Sequence, residues 1–537
     1  MKRIIVCILI LIIVYLFAFW ADAQGATYYV RKAGADTNNG TSWATSWATV
    51  SKVNSTVVLG DTVRFGSGRW LNSMITPPAG ASFNQRTVYA CSTLSVSSRG
   101  LTTISAGDSV TGWSLYSGNI YKAYWNPNPG KYFYDQNAWT MVQNDTLMIP
   151  QSSFSGINAG GKFYYNPSSD TVYVWPYNNG SPNDREMLIS ARPSVLLNNN
   201  VKHILFYGLT FKMGKQGVVW FYGGRIDSVF FEYCKFNFIS HAINENPCLI
   251  FAGGHPTDSS GWRFYDYFKA CSIGVAIGVN GTFGTAYDGG TESPMEHRGS
   301  GAIFYGMSKT TFDSCVFYNL CGDGIYFKND FDGSMNTVGS VVKNCIFDSI
   351  SSYGIHFGQH IETDSAYGNI FRAIDDHSMS AALRFGGGRV NYGNCFIGNN
   401  TFFRCSNFIE FIVNAPTYPF KLRYNIFYDK ILNDYWVDDN GINIASAVTI
   451  DSNISYDPST SFSARLSGVK NWATWQSAGF DVRGRNTNPG LNNPTSGDFS
   501  RPSASSEMNL TYGGRTWTIF GAAQPASATS KRLMIRK

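Results

Sequence analysis

Charge is scarce in this chain. Asp, Glu, Lys and Arg together make up only 15% of its 537 residues. So thin a supply argues against long helices with charged faces. Lys531-Arg532 and Arg536-Lys537 read as a solvated tail with no assigned role. No basic run and no basic helix is present, so nucleic acid is not an expected partner. The formal net charge of +6 is small for this length; an acidic glycan is compatible with it but not required by it. The ten cysteines include no CxxC pair of the metal-binding type. Beyond the N-terminus no apolar run is long enough to cross a bilayer.

The N-terminus itself is the exception. Lys2 and Arg3 open it, Ile4 to Trp20 is almost wholly apolar, and Ala21-Asp22-Ala23 supplies small residues at a cleavage site. Residues 1–23 read as a secretory signal peptide cut before Gln24. An uncleaved anchor is the alternative, since the run is long for a signal. The Ala-x-Ala and the abrupt change to Gly25-Ala-Thr27 favour cleavage. The expectation is therefore a secreted protein, extracellular or periplasmic, with no stable membrane anchor. Cys7 leaves with the signal, and nine cysteines remain.

What the chain has in abundance is glycine (54 residues), aromatic residues (15%), and Asn, Ser and Thr. These are the residues of short strands and tight turns, so all-β structure is expected. A repeat sharpens this. Asp313-Ser-Cys-Val-Phe317 is followed by Gly324-Ile-Tyr-Phe327, and Lys343-Asn-Cys-Ile-Phe347 by Gly354-Ile-His-Phe357. Looser copies are Gly368-Asn-Ile-Phe371 with Ala382-Leu-Arg-Phe385, and Asn400-Thr-Phe402 with Phe408-Ile-Glu-Phe411. Taking Phe211, Phe236, Phe317, Phe347, Phe371, Phe402, Phe427 and Ile454 as anchors, the steps run from 24 to 31 residues, with one of 81. A period in the twenties with no helical pattern is that of a parallel β-solenoid, about seven coils of which can be counted. The step of 81 must hide further coils and an insertion. Cys234, Cys315 and Cys345 each lie two before an anchor Phe and read as an inward ladder of thiols, not disulfides. Asn344 and Asn400 are expected at coil corners.

The flanks carry a resemblance. Tyr28-Tyr-Val-Arg-Lys-Ala-Gly34, Asp36-Thr-Asn-Asn-Gly-Thr41, Trp47-Ala-Thr49 and Gly60-Asp-Thr-Val-Arg-Phe65 resemble the opening segment of secreted right-handed parallel β-helix proteins of the pectate-lyase-like superfamily. Asn488-Pro-Gly-Leu491, Gly497-Asp-Phe499 and Phe520-Gly-Ala-Ala-Gln524 resemble their closing segment. Trp113, Gly118-Asn-Ile-Tyr-Lys122, Phe163-Tyr-Tyr165, Thr171-Val-Tyr-Val-Trp175 and Glu186-Met-Leu-Ile-Ser190 resemble a small β-rich insert found in a subset that includes glycoside hydrolases. The implied plan is an N-terminal cap and first coils (24–112), the insert (113–192), the main β-helix (193–460, with a loop insertion at 252–300), and a C-terminal cap and tail (461–537). The resemblance implies a polysaccharide or oligosaccharide as substrate.

Strand alternation locates the chemistry. In Gly-Ile-x-Phe the Ile and Phe face inward, so the residue between them faces out. That position reads Tyr326, His356, Arg384 and Glu410 on successive coils. Lys328 lies two further on, and Trp220 is outward in Val219-Trp-Phe221. Arg384 suits a carboxylate or sulfate, His356 and Tyr326 suit proton transfer, and Glu410 suits an acid, base or nucleophile. Turns beside this face carry Asp323, Asp375 and Asp376. Taken singly, each of these is also what a solvated surface or turn would carry.

Three readings compete. A glycoside hydrolase would pair Glu410 with Asp375 or Asp376, supported by Arg384 and His356. A polysaccharide lyase would hold a uronate at Arg384 and take its proton with His356 or Tyr326. A non-catalytic binder would stack sugars on Trp220 and Tyr326. The hydrolase is preferred on the resemblance of the insert. Of the polygalacturonase pattern only the Asp-Asp is present, so that mechanism is not transferred. No cofactor is required; Asn329-Asp-Phe-Asp-Gly333 has calcium-type oxygen ligands in Asp330 and Asp332, without the downstream Glu of a helix-loop-helix site.

Overall fold

The structure is a computed structural model of the whole chain. It describes residues 25–80, 82, 84–126, 140–198, 201–215, 217–222, 226–240, 248–253, 265–277, 299–305, 309–328, 337–358, 361–362, 364–374, 380–386, 392–393, 395–412, 420–438, 448–466, 468–499, 509–512 and 515–518.

Three long sheets dominate, of 12, 11 and 11 strands, here called A, B and C. Each coil contributes one strand to each. In one coil these are Thr311–Asp313 in A, Val316–Leu320 in B and Ile325–Lys328 in C. The next coil places Val341–Lys343, Ile346–Ile350 and Tyr353–Phe357 directly beside them, all parallel and in register. This is the expected parallel β-helix. The anchor phenylalanines form one interior stack: Phe317, Phe347, Phe371, Phe402 and Phe427 follow one another with ring centroids 4.8 to 5.0 Å apart. Each coil would expose this edge if alone, and each neighbour buries it, at about 1.5–3 kcal/mol per ring.

The repeat needs two corrections. The gap between Phe236 and Phe317 holds one further coil, with Tyr267–Lys269 in A and Ser272–Ile277 in B. There Ile273 takes the anchor place, paired with Phe236 on one side and Phe317 on the other. The stretch 252–300 is therefore not loop throughout. At the far end Ile454 pairs with Ile426, and Ser455 is the partner of Phe427. Ser455 is small because it donates to the buried carboxylate of Asp434, a bond no Phe could make.

The thiol ladder is real and longer than expected. Cys234, Cys271, Cys315 and Cys345 are all buried free thiols. The same register position continues as Asn369, Asn400, Asn425 and Asn453, and ends at Asp481. Each Asn Nδ2 donates to the next side-chain oxygen at 3.0, 3.0, 3.0 and 2.8 Å in turn. The thiols donate instead to backbone carbonyls of the preceding coil, over longer distances of 3.3 to 3.5 Å. Asn344 sits at a coil corner as expected, with φ +55°. Asn400 does not: the corner is Asn399, and Asn400 is the buried rung beyond it.

Before the main coils, Ser114–Ser117, Ile120–Tyr124, Ile149–Pro150, Lys162–Asn166 and Thr171–Trp175 form a separate five-stranded sheet. Its inner face has its own core around Trp113, Phe163, Val172 and Val174. At the C-terminal end the helix Trp472–Ser477 closes the solenoid, with Trp475 stacked between Tyr435 and Phe480.

Candidate functional site

Sheet C carries the expected outward row. Its register runs Trp220, Phe251, Ile303, Tyr326, His356, Arg384, Glu410, Trp436 without a slip. The inward neighbours of the same strands are Phe304, Phe327, Phe357, Phe385 and Phe411, stacked ring on ring. Alternation thus divides each strand between packing and chemistry.

The first half of the row is apolar. Trp220 stacks on Phe251 at 4.1 Å, and Phe251, Ile303 and Tyr326 form a small cluster with Cys248. The second half is ionisable. Tyr326 stacks on His356 at 4.3 Å, which joins the two halves. Arg384 Nε lies 3.7 Å from Glu410 Oε2. These side chains are outward but not exposed: His356 and Glu410 are each only 2% accessible. Burial removes the alternative of a water-exposed stripe, though not that of a polar stripe covered by a loop.

A second row flanks the first. Asp323 is wholly buried, with Oδ2 3.4 Å from His356 Nδ1. Its Oδ1 accepts from the backbone N–H of Tyr353 at 3.2 Å. The other His356 nitrogen, Nε2, faces the carbonyl of Gly386 at 3.3 Å. The Tyr353 hydroxyl accepts from the Arg384 guanidinium, which also sits 4.5 Å from the Tyr353 ring centre. So Asp323, His356, Tyr353, Arg384 and Glu410 form one connected group over four coils.

Strict alternation hides Tyr353. The glycine of Gly-Ile-x-Phe explains why. A Cβ at Gly354 would meet the interior ring of Phe371 at 2.7 Å, and one at Gly324 would meet Phe347 at 2.7 Å. Glycine and the following Ile both turn inward, a local break in the pleat. The residue before the glycine, Asp323 or Tyr353, is thereby sent outward. A tyrosine immediately before that glycine was the available signal.

Of the other expected site residues, Asp375, Asp376, Asp330 and Asp332 lie outside the described residues, as do residues 278–298. The Lys328 backbone pairs with Tyr305 in sheet C. Between Asp323 and Glu410 lie three coil steps, about 14 Å along the axis. That exceeds the roughly 5–9.5 Å at which two carboxyls share a glycosidic bond. Asp323 is thus placed against His356, three coils from Glu410. Among the described residues no cluster of His, Cys, Asp and Glu suits a metal ion, and no helix is long and apolar enough to cross a membrane.

Sheets of this path, one strand per coil on three faces, define a parallel β-helix. No known family model matches the sequence, and no curated protein sequence matches it. Among solved structures the chain is similar to one described as a glycoside hydrolase, at 10% identity and TM-score 0.49, over 80% of this chain and 94% of that one. It is similar to a pectate lyase at 11% identity and TM-score 0.42, over 81% and 80%. A complex of XylC with xylose matches at 14% identity and TM-score 0.40, over 83% and 73%. No residue role is carried over from them.

Proposed function

We propose that this chain is an exported carbohydrate-active enzyme that cleaves a glycan laid across sheet C. The observation that carries the reading is the change of chemistry along one row. Phe251, Ile303 and Tyr326 pack the outer position of their coils with apolar groups, so the fold does not need charge there. Three coils further on the same position holds His356, Arg384 and Glu410. Buried ion pairs add little net stability over apolar packing, so such a row is better explained by use than by folding.

Hydrolysis is the first reading. Glu410 supplies one carboxylate, Asp375 or Asp376 the other, and Arg384 positions Glu410. No step is routed through a metal. Elimination is the second reading, favoured by the contact of Arg384 with the Tyr353 hydroxyl. It gathers a cation for a uronate carboxylate with a hydroxyl and an imidazole for the proton. Products separate the two. A hydrolase releases reducing ends alone; a lyase releases an unsaturated, ultraviolet-absorbing end. Loss of turnover in Glu410→Gln with Tyr353→Phe active fits hydrolysis, and the reverse fits elimination. Unchanged turnover in both Glu410→Gln and His356→Ala would sink the site itself.

A further inference from the structure

The β-rich insert has a second face that its core does not use. On it alternate residues of the five-stranded sheet point outward: Lys162, Tyr164 and Asn166 on one strand, Thr171, Tyr173 and Trp175 on the next, then Lys122 and Tyr124. The intervening Phe163, Tyr165, Val172, Val174 and Ala123 are buried on the other side. Tyr116, from the edge strand, and Phe154 complete the outer face. Tyr116, Phe154 and Tyr173 form a closed triangle of rings, all edge-on, with centroids 5.4, 5.2 and 5.0 Å apart. Tyr124, Tyr116 and Phe154 are 69%, 48% and 36% accessible.

The composition of this face selects its occupant. A surface meant for another protein is rich in Met and Arg around its aromatic anchors and poor in Lys. Here the rings are set among Lys122, Lys162, Asn166 and Thr171. Mutually braced rings are rigid, so little rotamer entropy is lost when they are covered. Their π-faces carry partial negative charge, which attracts the C–H groups on the flat side of a pyranose ring. The charge is one-sided. None of the five strands contains Asp or Glu. Asp170, in the turn between two of these strands, accepts from Tyr165 and Asn126. Lys122 lies 5.3 Å from the Tyr116 ring centre, and Lys162 donates to Asn158.

From this we infer that the outer face of the insert is a binding platform for an acidic polysaccharide, sugar rings on Tyr116 and Tyr173 and carboxylates toward Lys122 and Lys162. It is separate from the row on sheet C and does not depend on what that row cleaves. Native gel electrophoresis of the full chain through polygalacturonate, with hydroxyethylcellulose as the neutral counterpart, tests it without any turnover. Retardation by polygalacturonate alone is expected. It should weaken about tenfold in Tyr116→Ala/Tyr173→Ala and survive in Tyr173→Phe. Lys122→Gln/Lys162→Gln, which leaves the rings in place, should also weaken it. The inference is overturned by no retardation, by equal retardation in the neutral polymer, or by ring and lysine variants that bind as the parent does. It is also overturned if sedimentation shows a dimer that Tyr116→Ala dissociates, since the face then belongs to a second copy.

Discussion

Two faces of the same strands in sheet C are built on opposite rules. The inner positions of five consecutive coils read Phe304, Phe327, Phe357, Phe385 and Phe411, one residue type throughout. The outer positions of those strands read Ile303, Tyr326, His356, Arg384 and Glu410, different on every coil. A solenoid has translational symmetry, so what packing requires of one coil it requires of the next. A run of ionisable side chains at a buried position that other coils fill with apolar groups is therefore not packing's doing. Adjacent residues in one strand should then fail in different ways.

Glu410 and Phe411 make the strongest test. Phe411→Ala removes a buried ring stacked 5.2 Å from Phe385 and edge-on to Phe420. It should cost about 3–5 kcal/mol of stability, read from urea unfolding. Glu410→Gln keeps the shape of the side chain. It should move the unfolding midpoint far less, yet lower turnover by about 10²–10⁴-fold. Equal loss of stability in both variants would erase the distinction between the faces.

The corner ladder offers a second comparison, between its thiol rungs and its amide rungs. Asn400→Ala deprives two backbone groups, the Asn369 N–H and the Ala366 C=O, and the side-chain amides of Asn369 and Asn425 of a partner. Buried groups left without partners cost about 1–3 kcal/mol each way the count is taken, so a loss near 3 kcal/mol is expected. Cys315→Ala removes a 3.4 Å bond to Phe268 O and one methyl-sized group, and should cost about 1–2 kcal/mol. Similar losses would mean that the amides add nothing beyond volume.

These contrasts also explain what could be read beforehand. The Phe repeat was legible because packing enforces it coil after coil. The outer row was legible because alternation follows from it. The coil at Tyr267–Lys269 and Ser272–Ile277 was not, because Ile273 stands where the others have Phe. Tyr353 was not, because Gly354 breaks the pleat that alternation assumes. Asn400 reads as a corner from sequence, since corner and rung are neighbours and Asn suits both. The insert's inner and outer faces alternate as plainly as any strand of the coils. Its outer aromatics were simply read as strand formers.

The smallest expected effect concerns the last rung. Asp481 receives Asn453 at 2.8 Å through Oδ1, and Tyr435 and Trp475 at 3.1 Å through Oδ2. Burial nevertheless pushes its carboxyl up to about 6, from 3.8. The folded state therefore holds this proton more tightly than the unfolded chain. The stabilisation is complete below about pH 3.8 and is lost as pH rises through 6. Asp266, pushed up to about 7 by burial and by Asp227, acts in the same direction over a slightly higher range. Asp457 acts oppositely: burial raises it, but hydrogen bonds from Thr460 and Ser459 win and hold it at about 2. Its contribution is lost only below about pH 4, outside the window. Unfolding midpoints of the parent should therefore fall between pH 4.5 and 7.5. Asp481→Asn should be less stable throughout, because its amide N–H₂ would confront a donor on Oδ2's side, the indole N–H of Trp475. It should also show a shallower slope than the parent. An unchanged slope would mean that the carboxylate ends the ladder only as an acceptor, no differently from the amides before it.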